Sequence, residues 1–198
     1  MEEEKLLMES LGAVWTDEDA MNSRGAPVSV VDEVLRIRAG GKHQPQELSN
    51  ILIDRMVKRL SAETLFNPGA RELLSELSVA AVSMALVSAS TRTIMDAALT
   101  SIGQHHFKIT ISHDDVALTK PSPEGYLAAA AAIGVPIEKT LIIEDSITGV
   151  TAGIESGAYV LGLTHTLELP RSSRTVHHSG LLGVDMRALS KLFQAIIS

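Results

Sequence analysis

One short apolar run that stops at two carboxylates constrains this chain more than any other stretch. Leu141-Ile142-Ile143, preceded by Thr140, is β-prone; Glu144-Asp145 follow at once, and Ser146-Ile147-Thr148-Gly149-Val150 reads as the opening of a helix. Such a run suits the C-terminal end of a buried parallel strand, the edge where open α/β sheets place their ligands. Two adjacent acids there suit a hard cation such as magnesium, which takes oxygen ligands and keeps several waters. A simpler reading competes with that one: Asp145 or Ser146 caps the following helix.

The surrounding pattern favours a parallel sheet. From Asn67-Pro68-Gly69, a turn signal, strand-like and helix-like segments alternate. Helices are expected at Ala70 to Leu77, Thr93 to Ile102, Pro123 to Ile133, Gly149 to Ser156 and Asp185 to Ile197. Strands are expected at Val82 to Val87, Phe107 to Ile111, Thr140 to Ile143 and Tyr159 to Leu163, with the polar stretch Leu169 to Gly180 read as loop. Alternation of this kind implies βαβ units.

Residues 1–65 differ in character. Leu6, Leu7 and Leu11 have helical spacing in a first helix that stops at Gly12. Thr16 is placed to cap a second helix from Asp17 to Met21. Val28 to Ile37 and Gln46 to Leu60 complete an all-helical region in which no strand is expected. The lone Trp15 is expected to pack inside it.

Composition narrows the functional classes. A chain of 198 residues with 45% hydrophobic content can build a core, but at 3% aromatics that core is aliphatic. The net charge of −7 argues against a nucleic-acid surface. With no cysteine there is no disulfide, thiol catalysis or cysteine-bound zinc. The acidic start MEEEKLLMES is not a secretory signal, and the longest apolar region, Val79 to Val87, is far too short to span a bilayer. A cytoplasmic location without membrane contact is the expectation.

Chemistry-bearing residues fall at three expected strand ends. Ser88-Ala89-Ser90-Thr91 follows one strand; a hydroxyl and free N–H groups at a strand-to-helix turn can hold an anion, although Ser and Thr also cap helices. Lys120 lies in Leu118-Thr119-Lys120-Pro121-Ser122-Pro123, where prolines stiffen the backbone. A rigid lysine there can hold a phosphate and offset nearby carboxylates, or it can be a solvated loop lysine. Glu144-Asp145 is the third. Parallel strands would bring all three to one sheet edge.

On these motifs the chain resembles the haloacid dehalogenase superfamily, in the branch of β-phosphoglucomutase and sugar-phosphate phosphatases. The resemblance implies a Rossmann-like α/β core at residues 66–198 and a helical cap at 1–65. It implies that Ser88 and the Ala89 N–H bind the transferring phosphoryl group, and that Lys120 neutralises charge. It implies that Glu144 and Asp145 hold Mg2+, and that the substrate is a small phosphorylated metabolite such as a sugar phosphate. Residues 65–70 look like the return from cap to core.

One departure is decisive. Members of this superfamily open with a strand ending in Asp-x-Asp, whose first aspartate accepts the phosphoryl group and whose second is the general acid/base. The one Asp-x-Asp here, Asp17-Glu18-Asp19, has no strand before it. Compared with the family layout, roughly 15–25 residues of the start, including a central strand, are expected to be absent. The chain as written is then expected to be inactive, a shortened form of an active enzyme. The alternative is a non-catalytic member that binds a phosphorylated ligand or a protein partner. A receiver-like signalling domain is disfavoured, since its acids come first and its lysine last.

Smaller features carry less. Arg24 in Arg24-Gly25-Ala26-Pro27 is displaced from the arginine of the family's cap segment and is expected at the surface. The adjacent pairs His105-His106 and His177-His178 are expected to diverge rather than to share a metal. Asp114-Asp115 is expected to be solvated or capping.

Overall fold

The computed structural model describes residues 2–23, 26, 28–164 and 168–197. By internal contacts the chain divides into two units, Met1–Thr64 with Asp96–Ile102, and Leu65–Met95 with Gly103–Ser198. The expectation about Arg24 lies outside the described residues.

The first unit is helical, with α1 (Glu2–Ser10), α2 (Asp17–Ser23), α3 (Val28–Arg38) and α4 (Glu47–Ala62). Leu7, Met8, Trp15, Leu35, Leu48 and Leu52 form its core, and Trp15 is buried there. Thr16 caps α2 reciprocally: the Asp19 N–H donates to Thr16 Oγ1 at 3.1 Å and the Thr16 N–H donates to Asp19 Oδ2 at 3.0 Å. Two buried carboxylates hold the helices in register. Asp19 Oδ1 accepts from Arg38 at 2.7 Å, and Asp32 accepts the backbone N–H groups of Gln46 and Ser49 at the start of α4. Ser101 adds to this unit by donating to Leu60 O at 2.8 Å and Thr64 Oγ1 at 2.7 Å.

The second unit carries α5 (Ala70–Val79), β1 (Ala85–Val87), the start of α6 (Arg92–Ile102), β2 (Ile109–Ile111), α7 (Glu124–Ile133), β3 (Leu141–Glu144), α8 (Ile147–Ser156), β4 (Tyr159–Leu163), β5 (Thr175–His178) and α9 (Met186–Ile197). Every strand pairing is parallel. Alternate residues along β3 and β4 face opposite layers. Ile142 and Val160 pack with Tyr126 and Val150 from α7 and α8. Leu161 and Leu163 pack with Leu73, Leu189 and Phe193 from α5 and α9, and Leu141 and Ile143 join them. A sheet covered by helices on both faces needs this two-sided apolar pattern.

The strands do not form one sheet. Among the described residues, β1 pairs only with β2, while β3, β4 and β5 form a separate sheet in that order. Among the described residues the edge strands are therefore β1 and β2 in one sheet and β3 and β5 in the other. All three residues of β1 are only half-buried.

Most expected elements form with ends shifted by a residue or two, and two depart further from the sequence expectation. The strand expected from Val82 begins at Ala85, because the end of α5 is closed by Ala80, Ala81 and Val82 N–H groups bonding back to Glu76, Ser78 and Leu77, with Ala81 at φ 54°. The stretch read as loop contains β5. Its Thr-Val-His-His sequence has little apolar signal, and its place on the edge of β4 is held from outside by Arg174. That side chain donates to Gly157 O at 3.0 Å and Glu138 O at 2.8 Å, and stacks 4.1 Å from the Tyr159 ring. The turn at Asn67-Pro68-Gly69 forms as expected. Gly69 has φ 85°, and a Cβ there would sit 2.1 Å from the Leu181 carbonyl oxygen, so glycine is required on two grounds.

Candidate active site at the strand ends

The loop after β1 is built from short-range hydrogen bonds. The Ser88 N–H donates to Ile111 O at 2.9 Å, extending the β1–β2 pairing by one residue. Ser88 Oγ then accepts from the Ser90 N–H at 3.1 Å, which turns the chain toward α6. Among the described residues the Ala89 N–H has no acceptor. The loop after β2 steadies this turn: the His113 N–H donates to Ser90 O at 2.9 Å, and Asp114 accepts the Arg92 N–H at 2.7 Å. Asp115 accepts from both the N–H and the hydroxyl of Ser112 and pairs with the Arg92 guanidinium. Those bonds hold its pKa down at about 2. Asp114 and Asp115 are therefore capping residues, one of the two expected roles.

Lys120 lies between the ends of β1 and β3. Its ammonium donates to Val87 O at 3.0 Å and forms an ion pair with Glu144 Oε1. Both side chains are 11% exposed. The same Oε1 accepts from the Tyr126 hydroxyl at 2.5 Å, and the Tyr126 ring centroid lies 4.9 Å from the ammonium. Glu144 Oε2 accepts from Ser146 Oγ at 3.1 Å and from the Asp145 N–H at 3.3 Å. Burial alone would push the Glu144 pKa up. Lys120, Tyr126 and Ser146 outweigh it and hold the group below the usual carboxylate range. For Tyr126 burial and the Glu144 charge act in the same direction, and its hydroxyl stays protonated far above its ordinary pKa.

The two adjacent acids thus have different surroundings. Glu144 is enclosed and charge-matched. Asp145 is exposed, and Oδ2 accepts only a 3.3 Å bond from Asn67 Nδ2 among the described residues. Ser146 caps α8, accepting the Gly149 N–H at 3.0 Å. The capping reading of this segment is correct for Ser146, and the acids are left for other work.

Of the residues singled out from sequence, the structure brings Ser88, Lys120 and Glu144 to the strand ends of the second unit. Asp145 sits beside them. Tyr126 and Asn67 were not foreseen. Tyr126 follows Lys120 by six residues at the start of an Ala-rich helix, where an aromatic reads as core; only its hydroxyl signals a buried acceptor. A small cleft against this group is lined by Ser88, Ser112, Thr119, Lys120, Ser122 and Tyr126, among others. His177 and His178 diverge as expected, facing Pro170 O and Gly180 O, but His105 and His106 do not: their rings pack against each other with centroids 4.1 Å apart, because both lie in one tight helical turn. Among the described residues no group of three or more His, Asp or Glu side chains is arranged to hold a metal. No helix among them is long and apolar enough to cross a membrane.

Comparison with known proteins places this geometry in a family. Residues 22–157 match the family model described as haloacid dehalogenase-like hydrolase. A validoxylamine A 7'-phosphate phosphatase of Streptomyces hygroscopicus subsp. limoneus is 35% identical over 99 residues, covering 50% of this chain and 46% of the relative. Hexitol phosphatase A of Escherichia coli is 28% identical over 104 residues, covering 52% and 48%. The chain spans about half the length of these curated relatives. Among solved structures, CbbY of Rhodobacter sphaeroides in complex with xylulose-1,5-bisphosphate superimposes with a TM-score of 0.74 at 20% identity, covering 95% of this chain and 90% of that one. The β-phosphoglucomutase of Clostridium difficile gives a TM-score of 0.73 at 17% identity, covering 98% and 88%. At these identities the likeness shows the shared fold.

Proposed function

The chain belongs to the haloacid dehalogenase-like hydrolases, and from that membership we propose that it carries the phosphate-binding and charge-balancing part of a phosphatase or phosphomutase site for a small phosphorylated metabolite, a sugar phosphate being the best fit. The observation that carries the proposal is the Lys120 ammonium, held between Val87 O and Glu144 beside the Ser88 turn. A cation there offsets the charge of a phosphoryl group seated on Ser88 Oγ and the Ala89 N–H.

The donor set fits one hard divalent ion. Asp145 is an exposed carboxylate, and magnesium commonly uses one or two carboxylates plus water and substrate phosphate. Asp145, with Glu144 beside it, would hold Mg2+; when bound, the ion would withdraw charge from the phosphoryl oxygens. Glu144 has a second task, since its Oε1 is committed to Lys120 and Tyr126. It orients the ammonium.

The reading also includes what these residues do not supply. A phosphoryl-accepting carboxylate is needed for covalent transfer. Asp19, the second acid of the one Asp-x-Asp in the sequence, is tied to Arg38 and Thr16 in the helical unit. The free edges of β1 and β3 suit one further parallel strand, which would join the two sheets and end beside Lys120 and Asp145. We infer that this chain by itself binds phosphate without turning over a phosphate ester. The unpaired edges are equally consistent with a non-catalytic member whose missing pairings are made by a partner.

The test is a magnesium-dependent phosphatase assay over a panel of sugar phosphates, on this chain and on a version extended at its start by a β-strand ending in Asp-x-Asp-Gly-Thr. Turnover only in the extended protein supports the proposal. Turnover in both would show that the acceptor is already present in the chain. Two folded, silent proteins that bind phosphate would favour the non-catalytic reading.

A further inference from the structure

The Lys120 loop is closed by a single carboxylate that the proposed chemistry does not use. Glu124, the first residue of α7, turns back over the segment before it. Its Oε1 accepts the Ala117 N–H at 2.8 Å and its Oε2 accepts the Leu118 N–H at 2.9 Å. Inside the ring so formed, the Ser122 N–H donates to Thr119 O at 2.9 Å, and the Glu124 N–H donates to Ser122 Oγ at 3.3 Å. Lys120 is the residue this ring presents. Two anchors meet at α7: Glu124 holds the backbone that carries the ammonium, and Tyr126, two residues on, holds the Glu144 carboxylate that receives it.

Ala117 and Leu118 are exposed, and Leu118 is 64% exposed. Packing therefore contributes little to holding this loop, and an apolar side chain left in water gives it no anchor. Charge-assisted bonds to two backbone N–H groups are the restraint on this end of the loop, and they are roughly twice as strong as neutral ones. The geometry points to Glu124 as a positioning residue for Lys120: its two-armed hold on the 117–118 backbone keeps the ammonium between Val87 O and Glu144. The role of that ammonium in phosphate binding rests on the function proposed above; the positional relationship does not.

The test compares the unaltered chain with Glu124→Gln and Glu124→Asp. Glutamine keeps one acceptor but turns an NH2 group toward the second N–H. Aspartate keeps the charge on a shorter arm. Two readouts are taken: amide hydrogen exchange at Ala117 and Leu118, and the rate at which acetic anhydride acylates Lys120, with exposed Lys139 as the reagent control. In the unaltered chain Lys120 should be acylated slowly. In Glu124→Gln both amides should exchange faster, and Lys120 acylation should rise about tenfold at unchanged Tm, because the loop opens locally. Glu124→Asp should fall between, and it carries the comparison if the glutamine variant fails to fold.

Faster amide exchange with unchanged Lys120 acylation would overturn the inference, leaving Glu124 a local staple. Unchanged exchange would overturn it as well. Inorganic phosphate, added as a probe, should slow Lys120 acylation in the unaltered chain. If it slows acylation in none of the proteins while the Glu124 effect stands, the phosphate reading fails and the positioning role is upheld.

Discussion

The Cα of Gly149 faces the Glu144 carboxylate so closely that a Cβ built on it would lie 2.1 Å from Glu144 Cδ. The first turn of α8 therefore forms the floor under the buried acid, and glycine sets its height. Gly149→Ala should force Glu144 off its hold on Lys120. Overpacking of this kind costs about 1–3 kcal/mol. A lowered thermal midpoint together with faster Lys120 acylation is the expected result; an unchanged midpoint would mean that the carboxylate has room to move.

Lys120 and Glu144 should show a large coupling. Removing one partner of an enclosed ion pair leaves a charge stranded, at a cost of about 3–5 kcal/mol. Lys120→Met and Glu144→Gln should each destabilise strongly, while the double variant should cost far less than their sum. Chemical denaturation of the four proteins measures the coupling, and additive losses would show that the pair is solvated in solution.

Tyr126→Phe isolates the short hydrogen bond. The ring is buried among Ile142, Val150 and Val160, so packing is preserved and one donor to a charged acceptor is lost. Loss of such a bond costs about 1.5–3 kcal/mol. Denaturant titration at neutral pH should show a loss in that range, and no loss would mean that water replaces the hydroxyl.

Acid should loosen both units over a common range. Asp19 in the helical unit and Asp115 in the α/β unit each have a pKa depressed to about 2 from 3.8. For Asp19 the leading cause is the Arg38 hydrogen bond, set against a burial penalty; for Asp115 it is the Ser112 hydrogen bonds. A depressed pKa means that the unfolded state takes up the proton first. The stabilisation is thus complete above pH 3.8 and declines as pH falls toward 2. Arg38→Met should raise the Asp19 value alone and Arg92→Met the Asp115 value alone. NMR titration of the two carboxyl carbons would show this; midpoints near 3.8 in the unaltered protein would contradict it.

Much of the site was legible before the fold was known, for identifiable reasons. Ser88 and Glu144 stand at the ends of short apolar runs and Lys120 in the proline-stiffened loop after the run between them, and parallel strands deliver their C-terminal ends to one edge, so chain order groups the three. The helical region was legible from spacing within each segment, as in Leu6, Leu7 and Leu11 of the first helix. β5 was not, because Thr175 to His178 has no apolar alternation and gains its place from Arg174. Tyr126 was not, because its hydroxyl partner lies 18 residues away in sequence.

The sequence by itself determined the class of the fold, the parallel order of the strands and the identity of the residues at their ends. These follow from local periodicity, turn residues and the geometry of βαβ connections, all of which act over a few neighbours. Only the tertiary structure decided how Glu144 and Asp145 part company, one enclosed against Lys120 and Tyr126 and the other open beside Asn67. It alone set which strands pair among the described residues, β1 with β2 and β5 on the edge of β4. Such choices depend on which distant groups share a low-dielectric interior, and no local pattern encodes that.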